Sequence, residues 1–171
     1  MHDACGVVGI SLNETANGAA KSIYYSLYAL QHRGQEAAGI SVHDGKSIRT
    51  HRAMGLVSEV FDDAQIALLR GHVGIGHVRY ATSGRSCIEN SQPLLVKYKD
   101  GAIATAHNGN LVNSTQLREQ LEEAGDIFYS TSDTEVIAHL FVKELLHYDL
   151  PEAAGALMRK IVGSYSLVFL W

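Results

Sequence analysis

Residues 5–11 read CGVVGIS, and this short apolar run predicts a buried β-strand that begins at a cysteine. Two further stretches, 39–43 and 46–50, flank the pair Asp44-Gly45, which favours the tight turn of a β-hairpin. The other predicted strands are residues 73–80 and a second hairpin made of residues 94–98 and 102–107, with its turn at 99–101.

Helices are predicted where apolar residues recur at helical spacing, first at residues 19–31. Asn113 is placed to cap a helix that runs to Glu123 and stops at Gly125. Ser132 to Glu135 has the form of a capping box, which predicts a helix to about His147. Two more helices are predicted at residues 62–70 and from 151 to about 163.

Strands therefore dominate the first two thirds of the chain and helices the last third, which predicts an α+β fold with helices packed on antiparallel sheet. The chain has 171 residues and is 46% hydrophobic and 19% charged, so it can form one domain with a real core. There is no internal repeat and no linker. Because residues 164–171 form an apolar run that ends with the sequence at Trp171, we expect a longer parent protein.

The charge distribution excludes several classes of function. A net charge of -4, a pI near 6.1 and the lack of a Lys/Arg run give no basis for nucleic-acid binding. No apolar stretch is long enough to cross a bilayer, and the first residues do not have the form of a signal peptide. We expect a cytoplasmic protein in which both cysteines, Cys5 and Cys87, are free thiols.

Cys5 is the first candidate for chemistry. A cysteine attacks well only as thiolate, and its usual pKa is about 8.5, so something must accept its proton. If residues 1–4 are removed, Cys5 carries a free amine with a reference pKa of about 7.7–8.0, and nucleophile and base then lie on one residue. For a lone cysteine at the start of a strand, a structural role is the better interpretation.

The second candidate is residues 107–110, HNGN, directly after a predicted strand. The side-chain amide of Asn108 and the backbone N–H of Gly109, on a strand-end turn, can supply the donors that an oxyanion needs. On its own this motif is better explained as an ordinary turn, because Asn-Gly is among the commonest turn pairs.

Two more motifs carry charges that suit an oppositely charged group on a substrate. Arg79, with Thr82 and Ser83 close behind it, offers a fork of donors for a carboxylate; the alternative is a surface arginine at a strand end. Asp133 can hold an ammonium group, and it can equally interact with the dipole of the helix that it begins.

Residues 31–36, QHRGQE, have no role that their physics alone identifies. The nine histidines show no metal-ligand spacing, so no metal site is expected.

Five motifs in this order resemble the class II glutamine amidotransferases, enzymes with an N-terminal nucleophile. The motifs are CGVVGI at 5–10, QHRGQE at 31–36, GHVRYATSG at 76–84, HNGNLVN at 107–113 and SDTE at 132–135. Within that family the sequences RGQEAAG, HVRYATSG and HNGNLVN are most similar to the glutaminase domain of the amidophosphoribosyltransferases. The hexosephosphate aminotransferases, which typically read RGYDSAG, HTRWATHG and HNGIIEN, are the alternative.

The resemblance implies a four-layer αββα sandwich of two antiparallel sheets. It also implies that Cys5 attacks the side-chain amide of glutamine, releases ammonia and forms a thioester, which water then hydrolyses to glutamate. The implied roles are an oxyanion hole from Asn108 and Gly109, a carboxylate site from Arg79 with Thr82 and Ser83, an ammonium site at Asp133, and ordering of the pocket by Arg33.

The resemblance further implies that residues 1–4 are a propeptide and residues 5–171 an incomplete glutaminase domain. A phosphoribosyltransferase domain, which binds phosphoribosyl pyrophosphate and magnesium, would follow; some members also carry an iron–sulfur cluster there. This implies no cofactor in the present segment, a parent enzyme that forms homo-oligomers, and a product, 5-phosphoribosylamine, that begins purine synthesis. A glutaminase serving another acceptor and a non-catalytic regulatory module are the competing hypotheses.

Overall fold

The computed structural model describes residues 5–13, 17–80 and 86–171. Its strands are β1 (Gly6–Ser11), β2 (Ala37–His43), β3 (Ile48–Met54), β4 (Val73–Arg79), β5 (Leu94–Tyr98), β6 (Gly101–Leu111) and β7 (Gly163–Leu170). Its helices are α1 (Ala19–Ala29), α2 (Val57–Val60), α3 (Asp63–Leu68), α4 (Ser114–Glu123), α5 (Asp133–Leu145) and α6 (Leu150–Lys160), with 3-10 turns at Gln31–Arg33 and Ile88–Asn90.

The strands form two antiparallel sheets. The first has the order β1-β4-β2-β3, and the second has the order β5-β6-β7. No helix in the described parts of the chain is both long and apolar enough to span a bilayer.

Three separate cores give the molecule four layers. Ile23 and Leu27 of α1 are fully buried against Ile40 of β2, so helix α1 covers the outer face of the first sheet. A second core lies between the two sheets and contains Ile75 of β4 and Ala106 of β6. The third core covers the outer face of the second sheet with residues of α4, α5 and α6. The expected αββα sandwich of two antiparallel sheets is therefore confirmed.

Most elements lie where the sequence predicted them, and the differences have local causes. The strand expected at 102–107 extends to Leu111, because β7 pairs with it along its whole second half. The short helix α2 was not predicted. Its first free N–H, that of Val57, is bound by the side-chain Oε1 of Gln31 at 2.6 Å, so a residue distant in sequence stabilises it.

Two predicted helix caps are wrong in detail. Asn113 precedes α4, but its side chain bonds across to the chain between α6 and β7, donating to Lys160 O at 2.9 Å and accepting from Val162 N–H at 3.0 Å. Ser132 does cap α5 by accepting from the N–H of Thr134. The Glu135 carboxylate, which a capping box would turn back to Ser132, instead accepts the N–H groups of Tyr129 and Ser130.

Candidate active site

Cys5 precedes β1 and faces the space between the two sheets. The register pairs Gly6 with Val78, which puts Cys5 opposite Arg79 on the neighbouring strand. Val7 and Ile75 belong to the inter-sheet core. Because side chains alternate along a strand and opposed residues share a face, Cys5, His77 and Arg79 share the inter-sheet face.

Asn108 reaches the same layer from the second sheet. Ala104 and Ala106 of β6 lie in the inter-sheet core, so alternation puts Asn108 on that face as well. The fully buried ring of His77 donates from Nε2 to the carbonyl of His107 at 3.0 Å, which ties β4 to the residue before Asn108. The candidate nucleophile and the candidate oxyanion donor therefore lie in one layer at the same end of the sandwich.

The thiol of Cys5 is half-buried and bonds to backbone. Its Sγ donates to Tyr80 O at 3.6 Å and accepts from Tyr80 N–H at 3.4 Å. Burial raises the pKa of the thiol, and this outweighs the Tyr80 N–H and the charge of Arg79, which lower it. At neutral pH the group is a thiol, so a nearby base must take its proton before it can attack.

The motif at residues 31–36 acquires a structural role around Cys5. Arg33, in the 3-10 turn after α1, donates from Nε to the carbonyl of Cys5 at 3.2 Å and so fixes the chain at the nucleophile. The carboxylate of Glu36 forms an ion pair with Nη1 of Arg79, and both side chains are largely buried. This bond is consistent with the prediction that Arg33 helps to order the pocket. The ion pair with Glu36 fixes the direction of the Arg79 guanidinium group.

The expected turn at residues 107–110 is wrong, because these residues continue β6. Asn108 pairs with Ser166 of β7, and Gly109 pairs with Tyr165. Gly109 has φ +150°, which favours glycine, and a Cβ there would lie 2.1 Å from Ser164 O. Glycine is thus needed for β7 to lie close enough to hold this part of β6 in place.

Asp133 is the first residue of α5 and is bonded to two residues of β6. Its Oδ1 lies 3.3 Å from Nδ1 of His107, and its Oδ2 accepts the N–H of Leu111 at 3.1 Å. Burial raises the pKa of the Asp133 carboxyl. The pKa nevertheless lies below its usual value, because the hydrogen bond and electrostatic interaction with His107 and the bonds from the backbone N–H groups of Leu111 and Thr134 lower it. Asp133 is therefore an anion at neutral pH, as an ammonium site requires.

Not every predicted site residue can be placed. Thr82 and Ser83 lie outside the described residues, as do residues 1–4. Of the others, the fold brings Cys5, Arg33 and Arg79 together directly, and it links Asn108 and Asp133 to them through His77 and His107.

Sequence reasoning gave no role to His77, His107 or Glu36, although all three lie inside the motifs quoted above. Their positions in those motifs were the available signal. Their contacts are 30, 26 and 43 residues away in sequence, so local pattern could not reveal them. Within the described ranges there is no cluster of three or more His, Cys, Asp or Glu side chains that could hold a metal ion.

The buried His77 gives a prediction about stability and pH. Burial lowers its pKa to about 3, against about 6.5 in an unfolded chain, so unfolding takes up a proton between these values. Stability from a neutral His77 is present above about pH 6.5 and is lost as pH falls toward 3. We expect the free energy of unfolding of a His77→Gln variant to decline less steeply from pH 6.5 to 4, by up to about 1.4 kcal/mol per pH unit.

Urea unfolding at a series of pH values measures this difference. His147→Gln is the matched control, because His147 is exposed and should leave the slope unchanged. Equal slopes for the parent protein and His77→Gln would show that His77 is not held neutral.

Comparison with known proteins gives a consistent picture. The model of the glutamine amidotransferase domain matches residues 59–148. Amidophosphoribosyltransferase of Methanothermobacter thermautotrophicus is 53% identical over 173 residues, which are 99% of this chain and 36% of the relative. The Bacillus subtilis amidophosphoribosyltransferase is 44% identical over 171 residues, 99% of this chain and 35% of the relative. The chain thus spans about a third of the length of these curated relatives.

Solved structures agree with the described fold. Glutamine phosphoribosylpyrophosphate amidotransferase from B. subtilis, complexed with ADP and GMP, superposes with a TM-score of 0.85 at 44% identity; the match covers 96% of this chain and 34% of that one. A structure described as the allosteric regulatory enzyme of purine biosynthesis gives a TM-score of 0.87 at 45% identity, over 96% of this chain and 35% of that one.

Proposed function

This chain belongs to the glutamine amidotransferase domain family, and from that membership we propose that it is a glutaminase domain in which Cys5 is the nucleophile. The observation that carries the proposal is the arrangement of Cys5, Arg79 and Asn108 in one layer at one end of the sandwich. Nucleophilic attack on the side-chain amide of an amino acid requires these three groups: a thiol, a cation and a neutral amide donor.

The first step forms a thioester and releases ammonia. The α-amine of Cys5 accepts the thiol proton, and the sulfur attacks the carbonyl carbon of the glutamine side chain. Negative charge develops on the carbonyl oxygen, and the Asn108 amide and the Gly109 N–H stabilise it by hydrogen bonds. When the intermediate collapses, the C–N bond breaks and the amine returns its proton to the leaving nitrogen, which departs as ammonia.

The second step restores the enzyme. The Cys5 amine accepts a proton from water, and the hydroxyl attacks the thioester carbon through a second oxyanion in the same hole. The C–S bond breaks, the sulfur regains the proton, and glutamate leaves. No oxidant, reductant or metal ion takes part in either step.

Two charged side chains explain selectivity for glutamine over simple amides. We assign the α-carboxylate of glutamine to Arg79, whose fork Glu36 holds in direction, with Thr82 and Ser83 as further donors. The α-ammonium group is assigned to Asp133. A site that recognises a zwitterion at both ends discriminates strongly, because a substrate that lacks one charge leaves a buried protein charge unpaired.

This mechanism requires that residues 1–4 be removed. While they are attached, the nitrogen of Cys5 is an amide, which has no basic lone pair. The pKa of the thiol is raised by burial, so little thiolate forms without a base. We therefore propose that residues 1–4 are a propeptide whose removal activates the domain.

We further propose that the ammonia reacts with phosphoribosyl pyrophosphate in a phosphoribosyltransferase domain of the same protein, giving 5-phosphoribosylamine for purine synthesis. The support is the name shared by the relatives that are 44–53% identical, which favours this acceptor over a sugar phosphate. Magnesium, and an iron–sulfur cluster if one is present, are assigned to that domain. A cytoplasmic homo-oligomer without nucleic-acid or membrane partners is proposed for the whole protein.

The ammonium site gives a test of the proposed substrate. Asp133→Asn should raise KM for L-glutamine on the order of 10- to 100-fold, since a hydrogen bond to a charged group is worth about 1.5–3 kcal/mol. For an analogue of glutamine that lacks the α-amino group, the same substitution should change KM by less than about 3-fold, because this analogue never bonds to Asp133. The measurement is kcat and KM for release of ammonia from each amide.

Asp149→Asn is a suitable control, because Asp149 also lies at the start of a helix, where it caps α6 in an exposed position. It should leave both substrates unaffected. If Asp133→Asn raises KM equally for glutamine and for the analogue, Asp133 does not recognise the ammonium group.

A further inference from the structure

Three consecutive polar residues, Asn90, Ser91 and Gln92, are buried beside the candidate site. Their exposed fractions are 1%, 0% and 6%, although none belongs to a motif quoted above. Buried polar side chains are almost always hydrogen-bonded, and their partners show what they hold in place. We refer to these residues as the 90–92 segment.

Gln92 holds the strand that carries the oxyanion donors. The register pairs Leu94 of β5 with Thr105 of β6, and Gln92, two residues before that strand, lies beside His107. Pro93 has no N–H, and strand β5 begins only after it. The side-chain Oε1 of Gln92 accepts the N–H of His107 at 2.6 Å and so takes the place of a backbone partner directly before Asn108.

Asn90 holds the segment that carries Asp133. Its Oδ1 accepts the N–H of Thr131 at 3.0 Å, and its Nδ2 donates to Thr131 Oγ1 at 3.0 Å. Thr131 is followed by Ser132, the cap of α5, and then by Asp133. A two-bond contact of this kind fixes both the position and the direction of the chain two residues before the carboxylate.

The 90–92 segment is itself held firmly. Nη1 of Arg52 donates to Ser91 O and, at 3.4 Å, to Glu89 O. The segment lies directly on β2 at Gly39, where an added Cβ would come within 2.0 Å of Gln92 O. It is thus anchored to the first sheet, while its two amide side chains hold elements of the second sheet and of α5.

We propose that the 90–92 segment positions the two halves of the site through separate hydrogen bonds: Gln92 places the oxyanion donor Asn108, and Asn90 places the ammonium-binding Asp133. This inference rests on the proposed glutaminase function. It makes both amides positioning residues, which act on glutamine only through the groups that they hold. The consequence is a separation of kinetic effects that a general structural role does not produce.

Steady-state glutamine hydrolysis by two variants tests the separation. Gln92→Met should lower kcat on the order of 10-fold with KM within about 2-fold, because misplaced oxyanion donors act on the transition state. It should also weaken, by a similar factor, inhibition by a γ-aldehyde analogue of glutamine, whose adduct with the thiol carries an oxyanion. Asn90→Ala should raise KM on the order of 10-fold with kcat within about 2-fold, and should not affect the analogue that lacks the α-amino group.

Conservative variants and a matched control complete the experiment. Gln92→Glu and Asn90→Asp keep the accepting oxygen, so they should recover most of the lost kcat and KM. Asn113→Ala also removes an asparagine with two bonds to a distant segment, at Lys160 and Val162, and should lower the melting temperature without changing kcat or KM. If Gln92→Met does not fold, Gln92→Asn, which shortens the side chain, carries the same expected loss of kcat.

The outcomes are distinct. If Gln92→Met and Asn90→Ala change kcat and KM in the same proportion as each other, or no more than Asn113→Ala does, the inference is overturned while the glutaminase function stands. If the parent protein, freed of residues 1–4, releases no ammonia from glutamine, the proposed function itself fails.

Discussion

Replacing Cys5 by alanine should abolish release of ammonia from glutamine, with kcat lower by roughly 10⁴-fold or more, the scale on which loss of a covalent nucleophile acts. The physical reason is that alanine retains the amine and the oxyanion hole but has no atom that can form the thioester. Binding of glutamine should survive, because Arg79 and Asp133 are unchanged. The measurement is single-turnover ammonia release by the processed protein, with binding followed separately.

Cys87→Ala is the matched control for Cys5→Ala. Both cysteines are half-buried free thiols, but Cys87 lies in the loop before the 3-10 turn at residues 88–90 and has no place in the proposed chemistry. It should retain full activity. If Cys87→Ala abolished hydrolysis instead, the nucleophile would have been assigned to the wrong thiol.

Removing the side-chain amide of Asn108 should have the second largest effect. Asn108→Ala is expected to lower kcat on the order of 10²- to 10³-fold, or about 3–4 kcal/mol of transition-state stabilisation, with KM within about 3-fold. The effect falls on kcat because the amide meets full negative charge only as the oxyanion forms. The backbone pairing of residue 108 with Ser166 persists in alanine, so β6 should stay in register.

Asn110→Ala tests whether any shortened side chain in this part of β6 gives the same loss. Asn110 is exposed, belongs to the same strand and pairs with Ser164 of β7. It should change kcat by less than about 2-fold. A large rise in KM for Asn108→Ala, without a fall in kcat, would assign Asn108 to substrate binding and not to the oxyanion hole.

Much of the fold could be predicted from local pattern, because strands and helices here are marked by apolar spacing and turn pairs. Residues 107–110 show where that fails. Asn-Gly favours a turn, yet the pairing of β6 with β7 more than 50 residues later keeps these residues in a strand. Tertiary pairing overrode the local preference, and nothing within β6 itself could indicate it.

The candidate site shows the same division. Cys5, Arg79, Asn108 and Asp133 were predicted from chemistry and from resemblance, since each carries a group that the proposed reaction needs. The residues that we propose to hold them were not predicted, because a positioning residue is defined by its contact and not by its type. Gln92 and Asn90 are ordinary polar residues in the sequence; only burial and their bonds to His107 and Thr131 distinguish them.

The proposed mechanism depends on the residue at which the active protein begins. The purified protein should be treated with a diazoketone analogue of glutamine, and the labelled peptide and the intact chain should be weighed by mass spectrometry alongside a hydrolysis assay. We expect a chain that begins at Cys5, a single label on that residue, and loss of hydrolysis in step with labelling. A chain that retains residues 1–4 and turns over glutamine at the full rate, or a label on Cys87, would contradict it.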